Sequence, residues 1–232
     1  MEMATRTDPS AKPRLPLSRE RVLHAAITLA DEGGIESVTM RKLGQKLGVE
    51  AMSLYNHVAN KEELLDGMVD SIMGAINDAV GEIEVRSGDW KTAMRRRVLS
   101  AREILLRHPW APGLIESRTN VSATMTGYFD SLIGLLREAG FSIDLTHHAM
   151  HALGSRALGF AQELYDDSQE LDPEEMTTFL QQMAGHYPNI AWMIQEITHD
   201  DYTTLGWCDD QAEFEFALDL ILDGLERSQA RA

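Results

Sequence analysis

The sequence predicts an all-α protein, a small N-terminal three-helix unit followed by a larger helical body. Three observations carry that reading. Almost every periodic segment repeats its apolar residues at three- and four-residue intervals, the spacing of one helix face. No segment alternates convincingly as a strand, and no internal repeat is present. The stretch Thr39 to Lys61, TMRKLGQKLGVEAMSLYNHVANK, has the outline of two short helices joined by a tight turn.

The first helix is expected to start at Ser18 as N-cap, to place Val22, Ala26, Leu29 and Ala30 on one face, and to stop at Gly33-Gly34. Leu43 and Leu47 then repeat at i, i+4 on a second helix whose other sides carry Met40, Arg41, Lys42, Gln45 and Lys46. Gly48 can take the left-handed conformation that turns the chain, with Val49 folding back into the junction. A third helix from about Glu50 to Asn56 sends Leu54 toward the core and leaves Ala51, Met52, Ser53, Tyr55 and His57 on its outer side. That outer side is the candidate reading head of a helix-turn-helix.

Asn60 with Glu63 three residues on is close to a capping box. It opens a long helix through Leu64, Leu65, Met68, Val69, Ile72 and Ile76. Gly81 to Asp89 breaks the pattern, and Trp90 to Arg107 resumes it. Pro109 and Pro112 end that helix and allow a short helical piece around Leu114 and Ile115. Helices follow over Val121 to Ala139 and from near Ser142 to about Tyr165. The run Asp172-Pro173-Glu174-Glu175 is a helix start and opens Met176 to Ala184. Pro188 to Ile197 and Gln211 to Ser228 complete the expected set. In the last of these, Phe214, Ala217, Leu218, Ile221, Leu222 and Leu225 form an apolar face wider than one intrachain seam needs.

A net charge of -16 over 232 residues would repel a polyanion, but the charge is unevenly placed. Residues 1–61 carry nine Lys and Arg against seven Asp and Glu, while residues 62–232 carry twelve against thirty. A cationic end can therefore approach phosphates while an acidic body disfavours the wrong orientation. The polar opening, residues 1–17, reads as a disordered arm. With no long apolar run and a single cysteine, Cys208, the composition fits a reducing cytoplasm and no membrane.

The residues Gly34 to Asp66, GIESVTMRKLGQKLGVEAMSLYNHVANKEELLD, resemble the TetR family of bacterial one-component regulators, in its tetracycline-repressor branch. Fainter similarities are Trp90, the segments REILLRHP and LLREAGFS, and LDLILDGLER near the C-terminus. The resemblance implies a helix-turn-helix DNA-binding domain over residues 18–64 and an effector-binding and dimerisation domain over residues 65–232. It also implies a homodimer built on about Ile143 to Tyr165 and Phe214 to Arg227. Carried over, it places Arg41, Ala51, Met52 and Ser53 at or near base edges and backbone of double-stranded operator DNA. Ser53, Tyr55, His57 and Lys61 fall on phosphates.

Two departures qualify that transfer. The branch reads bases with a glutamine where this chain has Ala51, and carries proline where it has Met52, so any contact there is apolar. Its metal-ligating histidine aligns with Leu114 or Ile115, and its pocket asparagine with Arg97. The expected effector is therefore a largely apolar or aromatic small molecule, neutral or cationic, bound with no cofactor and no obligatory metal. Candidate pocket residues are Met94, Arg97, Met125, Phe129, Phe160, Glu163, Trp192 and Met193, although apolar side chains of this kind are more often plain core.

His147, His148 and His151 form the one local histidine cluster, and the residues alone favour a solvent-facing or dimer-seam role over a metal site. No catalytic triad order, phosphate loop, HExxH or CxxC is present. The alternative is a helical small-molecule-binding protein or enzyme whose N-terminal hairpin serves only in packing.

Overall fold

The computed structural model describes residues 16–83, 88–158, 185–189, 192 and 210–231, and every regular element among them is helical. The chain packs as two compact units, Met1–Glu82 with Ser100–Asp130, and Ile83–Leu99 with Ser131–Ala232. Most of the expected arm, the helix Met176 to Ala184 and most of Pro188 to Ile197 lie outside the described residues. No helix among the described residues is long and apolar enough to cross a membrane.

In the first unit, α1 (Arg19–Gly33) begins where expected, with Ser18 Oγ accepting the Arg21 amide at 3.2 Å. A 3-10 turn, Ile35–Ser37, leads to α2 (Met40–Leu47), capped by Thr39. The third helix, α3 (Ala51–Leu54), is shorter than its apolar pattern suggested. Beyond it the chain continues in tight turns, Tyr55 N–H to the Met52 carbonyl at 3.3 Å and His57 N–H to Leu54 at 2.9 Å, with Val58 N–H closing a four-residue step on the same Leu54 carbonyl at 3.0 Å.

The long α4 (Lys61–Gly81) has Asn60 as its cap, accepting the Glu63 amide at 2.8 Å. The reciprocal bond differs from the usual box, because Glu63 Oε2 accepts from Ala59 N–H at 2.6 Å, one residue before the cap. α1 packs on α2 and on α4. The approach is close enough that a Cβ at Gly67 would stand 2.7 Å from Leu23 Cδ2. Val22, Leu43, Leu54, Val58, Leu64 and Met68 are fully enclosed and form this unit's centre. Helix α6 (Ala111–Ser117) packs on α4 and buries Leu114 and Ile115.

Helices α5 (Trp90–Arg107) and α7 (Ala123–Glu138) run where expected. α8 (Ile143–Leu158) packs on the C-terminal α9 (Asp210–Gln229). Part-buried and exposed charge pairs bridge α9 and the start of α5. Arg95 reaches Asp219 at 2.7 Å and Glu215 at 2.6 Å, and Lys91 reaches Asp223 at 2.6 Å and Glu226 at 2.7 Å. The Lys91 ammonium, bonded to the Asp223 carboxylate, holds that carboxyl below its usual range.

The broad apolar face expected on α9 divides in two. Phe214, Leu218, Leu222 and Leu225 are buried within the chain, so that row is intrachain core and not an intersubunit seam. Ala217 and Ile221 are half-buried. The unpartnered row is Phe216, 63% exposed, and Leu220, 55% exposed, on a different side of the helix.

Candidate nucleic-acid interface and its links to the helical body

The reading head depends on a residue that the sequence pattern passes over. Gly44 lies inside α2 and is buried. A Cβ there would meet the Val49 carbonyl oxygen at 2.9 Å and the Ala51 amide nitrogen at 3.2 Å. Gly48 adopts the left-handed conformation, φ 68, and Val49 N–H returns to the Gly44 carbonyl at 2.9 Å. Backbone therefore packs on backbone at the turn, and the start of α3 is set against α2. A glycine interrupting an otherwise good helical run is the signal for such a contact.

Of the residues assigned to DNA from the sequence, Met52 is 74% exposed and Tyr55 43% exposed. Arg41 and Lys61 are exposed, while Ala51, Ser53 and His57 are half-buried. Neither Arg41 nor Lys61 is held in an ion pair among the described residues, whereas Lys46 is committed to Glu32 at 2.8 Å. Lys61 is the first residue of α4, whose Glu63 and Leu64 amides are taken by Asn60. Among the described residues the amides of Lys61 and Glu62 are the first-turn donors that Asn60 does not take.

Helix α6 is fastened at both ends. Just before it, Trp110 Nε1 donates to Asp31 Oδ1 at 2.6 Å, and His108 Nδ1 lies 2.8 Å from the same oxygen. Just after it, Arg118 reaches Glu62 at 2.7 Å and Asp66 at 3.2 Å on the first turns of α4. Sequence reasoning missed both. An aspartate in the last turn of α1 opposes the helix dipole, and that mismatch is the clue that Asp31 has a partner elsewhere.

The candidate effector residues are distributed as follows. Met94 and Met125 are buried, Phe129 is 36% exposed and Trp192 is 65% exposed. Arg97 is half-buried; its Nη1 donates to the Ser131 carbonyl at 3.0 Å and its buried Nε has no partner. Phe160, Glu163 and Met193 lie outside the described residues.

Residues 22–68 match the description "Bacterial regulatory proteins, tetR family", and residues 84–229 match "Tetracyclin repressor-like, C-terminal domain". The chain is 28% identical over 229 residues to the transcriptional repressor DrrR1 of Streptomyces coeruleorubidus, covering 94% of this chain and 80% of that one. It is 33% identical to the class D tetracycline repressor of Escherichia coli over 63% of this chain and 66% of the repressor. A possible TetR family transcriptional regulator from Streptomyces coelicolor A3(2) superposes with a TM-score of 0.71 at 29% identity, over 91% of this chain and all of that one.

The close approach at residue 44 yields a first prediction. Alanine improves on glycine by about 1 kcal/mol in a helix, but the atoms it would strike are backbone, and overpacking costs roughly 1–3 kcal/mol. Gly44→Ala should lower stability on balance and displace α3, weakening DNA binding more than the stability loss alone accounts for. Urea denaturation with parallel DNA titration checks this; unchanged stability and affinity would contradict it.

Proposed function

The chain belongs to the TetR family of bacterial regulatory proteins, and on that premise we propose that it is a cytoplasmic homodimeric repressor released from its operator by a small molecule. It is a DNA-binding transcriptional regulator and not an enzyme, which removes the catalytic alternative. The observation that carries the docking is the exposure of Met52, Tyr55, Arg41 and Lys61 around a turn fixed by backbone contact. α3 enters the major groove, with Ala51 and Met52 offering apolar contact and Arg41 a bidentate fork for guanine. Ser53, Tyr55, His57 and Lys61 hold phosphates, Lys61 adding its charge to the free amides of the α4 start. Arg118 supports that approach by neutralising Glu62, the carboxylate next to Lys61 in the chain.

Two-headed binding needs a second copy, and the unpartnered Phe216 and Leu220 of α9 are the apolar surface offered to it. The effector is a largely apolar or aromatic molecule held without an obligatory metal, with Arg97 as one orienting polar group. Because α6 is tied to α1 through Asp31 and to α4 through Arg118, displacing it moves the reading head. Two half-sites lie about 34–36 Å apart, or a multiple of that, so a small displacement ends simultaneous contact.

Lys61→Ala should weaken binding uniformly across DNA sequences and lower the magnitude of the salt slope by about 1. Arg41→Ala should instead relax preference at one position. Titrations on DNA from upstream of the gene at several salt concentrations measure both, and an unaltered salt slope for Lys61→Ala would overturn the docking.

Leu220→Asp should give a folded monomer with weakened operator binding, while Leu218→Asp, placing a charge in the intrachain core, should fail to fold. Light scattering and circular dichroism separate the two; a Leu220→Asp dimer as tight as the parent would remove α9's exposed row from the interface.

Compounds that raise the melting temperature should also release the protein from DNA, and should do so equally with and without a chelator. Strict dependence on a divalent metal would restore a tetracycline-like mechanism.

A further inference from the structure

The histidines of α8 have no part in the reading above. His147 and His151 stand one helical turn apart, both exposed, with their Nε2 atoms 3.0 Å from each other. Their rings are nearly perpendicular, at 86°, with centroids 4.6 Å apart. Two nitrogens at that separation either share one proton or bracket one cation. With metal–imidazole bonds of about 2.0–2.1 Å, neighbouring ligands of an octahedral or tetrahedral ion stand roughly 2.9–3.4 Å apart. His148, next in the chain, has its ring centroid 6.0 Å from that of His147 and makes no such nitrogen contact among the described residues.

We propose that His147 and His151 form a bidentate site for a borderline divalent transition-metal ion, the class of zinc, nickel and copper(II). Imidazole is the protein ligand these ions share. Helix α8 fixes the two Cα atoms at the i, i+4 spacing, so little ordering remains to be done on binding.

The opposite side of the helix is anchored. Arg156 Nη2 donates to the Glu213 carbonyl at 3.0 Å, and its guanidinium sits 4.5 Å over the Phe214 ring. At about 100° per residue, Arg156 lies nearly half a turn around the helix from the histidine pair. The pair therefore faces away from the α8–α9 packing and is open to an ion. Among the described residues no group of three or more His, Cys, Asp or Glu side chains gathers around a metal position, so water completes the coordination. The chain's charge of -16 raises the local concentration of cations. The site uses no residue assigned above to operator or effector.

The test uses the full-length chain without an affinity tag, titrated with nickel chloride by calorimetry. One ion per chain is expected for the parent and for His148→Ala, and saturable uptake is lost in His147→Ala and in His151→Ala. Nickel should raise the melting temperature of the parent and of His148→Ala alone. Because both side chains are exposed, the variants should keep the parent's circular dichroism, and His147→Asn serves as a second substitution. Absence of saturable uptake by the parent, or uptake that survives His147→Ala and His151→Ala, overturns the proposal. DNA affinity measured in a chelator reports on the regulator reading separately.

Discussion

The placement of the reading head depends on a side chain that is missing. At Gly44 the backbone of α2 comes so near to the Val49 carbonyl and the Ala51 amide that even a methyl group has no room. The left-handed turn at Gly48 brings the chain back into that contact, and α3, a helix of only four residues, Ala51–Leu54, has little intrinsic stability without it. Leu54, fully buried, then pins α3 to the centre of the unit, leaving Met52 and Tyr55 at the surface. Exposure of the contact residues is thus set by one backbone packing event and one core side chain.

The second organising element is electrostatic and joins the reading head to helix α6. Asp31 satisfies the indole of Trp110 and the imidazole of His108 with one oxygen. Arg118 spans two carboxylates of α4. Leaving a partly buried indole N–H without its acceptor costs about 1–3 kcal/mol, so the junction has a preferred arrangement and resists gradual deformation. Exposed pairs such as Arg107 with Glu103, at 3.9 Å, have no comparable hold on the structure.

Much of this was legible in the residues. Caps gave the starts of α1 and α4, where Ser18 and Asn60 each accept an amide three residues on; Thr39 and Ser142 cap α2 and α8 in the same way without having been read as caps. Gly33-Gly34 and Gly48 gave the stops, and the apolar spacing of α4 gave its buried face. On α9 periodicity found the covered residues, but it identifies which residues are apolar and cannot say which neighbour covers them. Phe214 and Leu218 turned inward to α8's side of the unit, while Phe216 and Leu220 were left outward. Periodicity also overextended α3, because the residues after Leu54 satisfy the same pattern in tight turns, His57 and Val58 both donating to the Leu54 carbonyl. The partners of Asp31 lie 77 and 79 positions away, beyond the reach of any local signal.

The division of α9 into an enclosed row and an open row has an evolutionary consequence. Bacteria commonly hold many regulators of one architecture, and each must find its own copy among them. In this chain the residues that hold the protomer together, Phe214, Leu218 and Leu222, are not the ones left open, Phe216 and Leu220. Drift at the open positions can change which subunits recognise one another while the interior is untouched. After a gene duplication, two descendants could therefore become mutually exclusive in assembly before either had lost any folding stability.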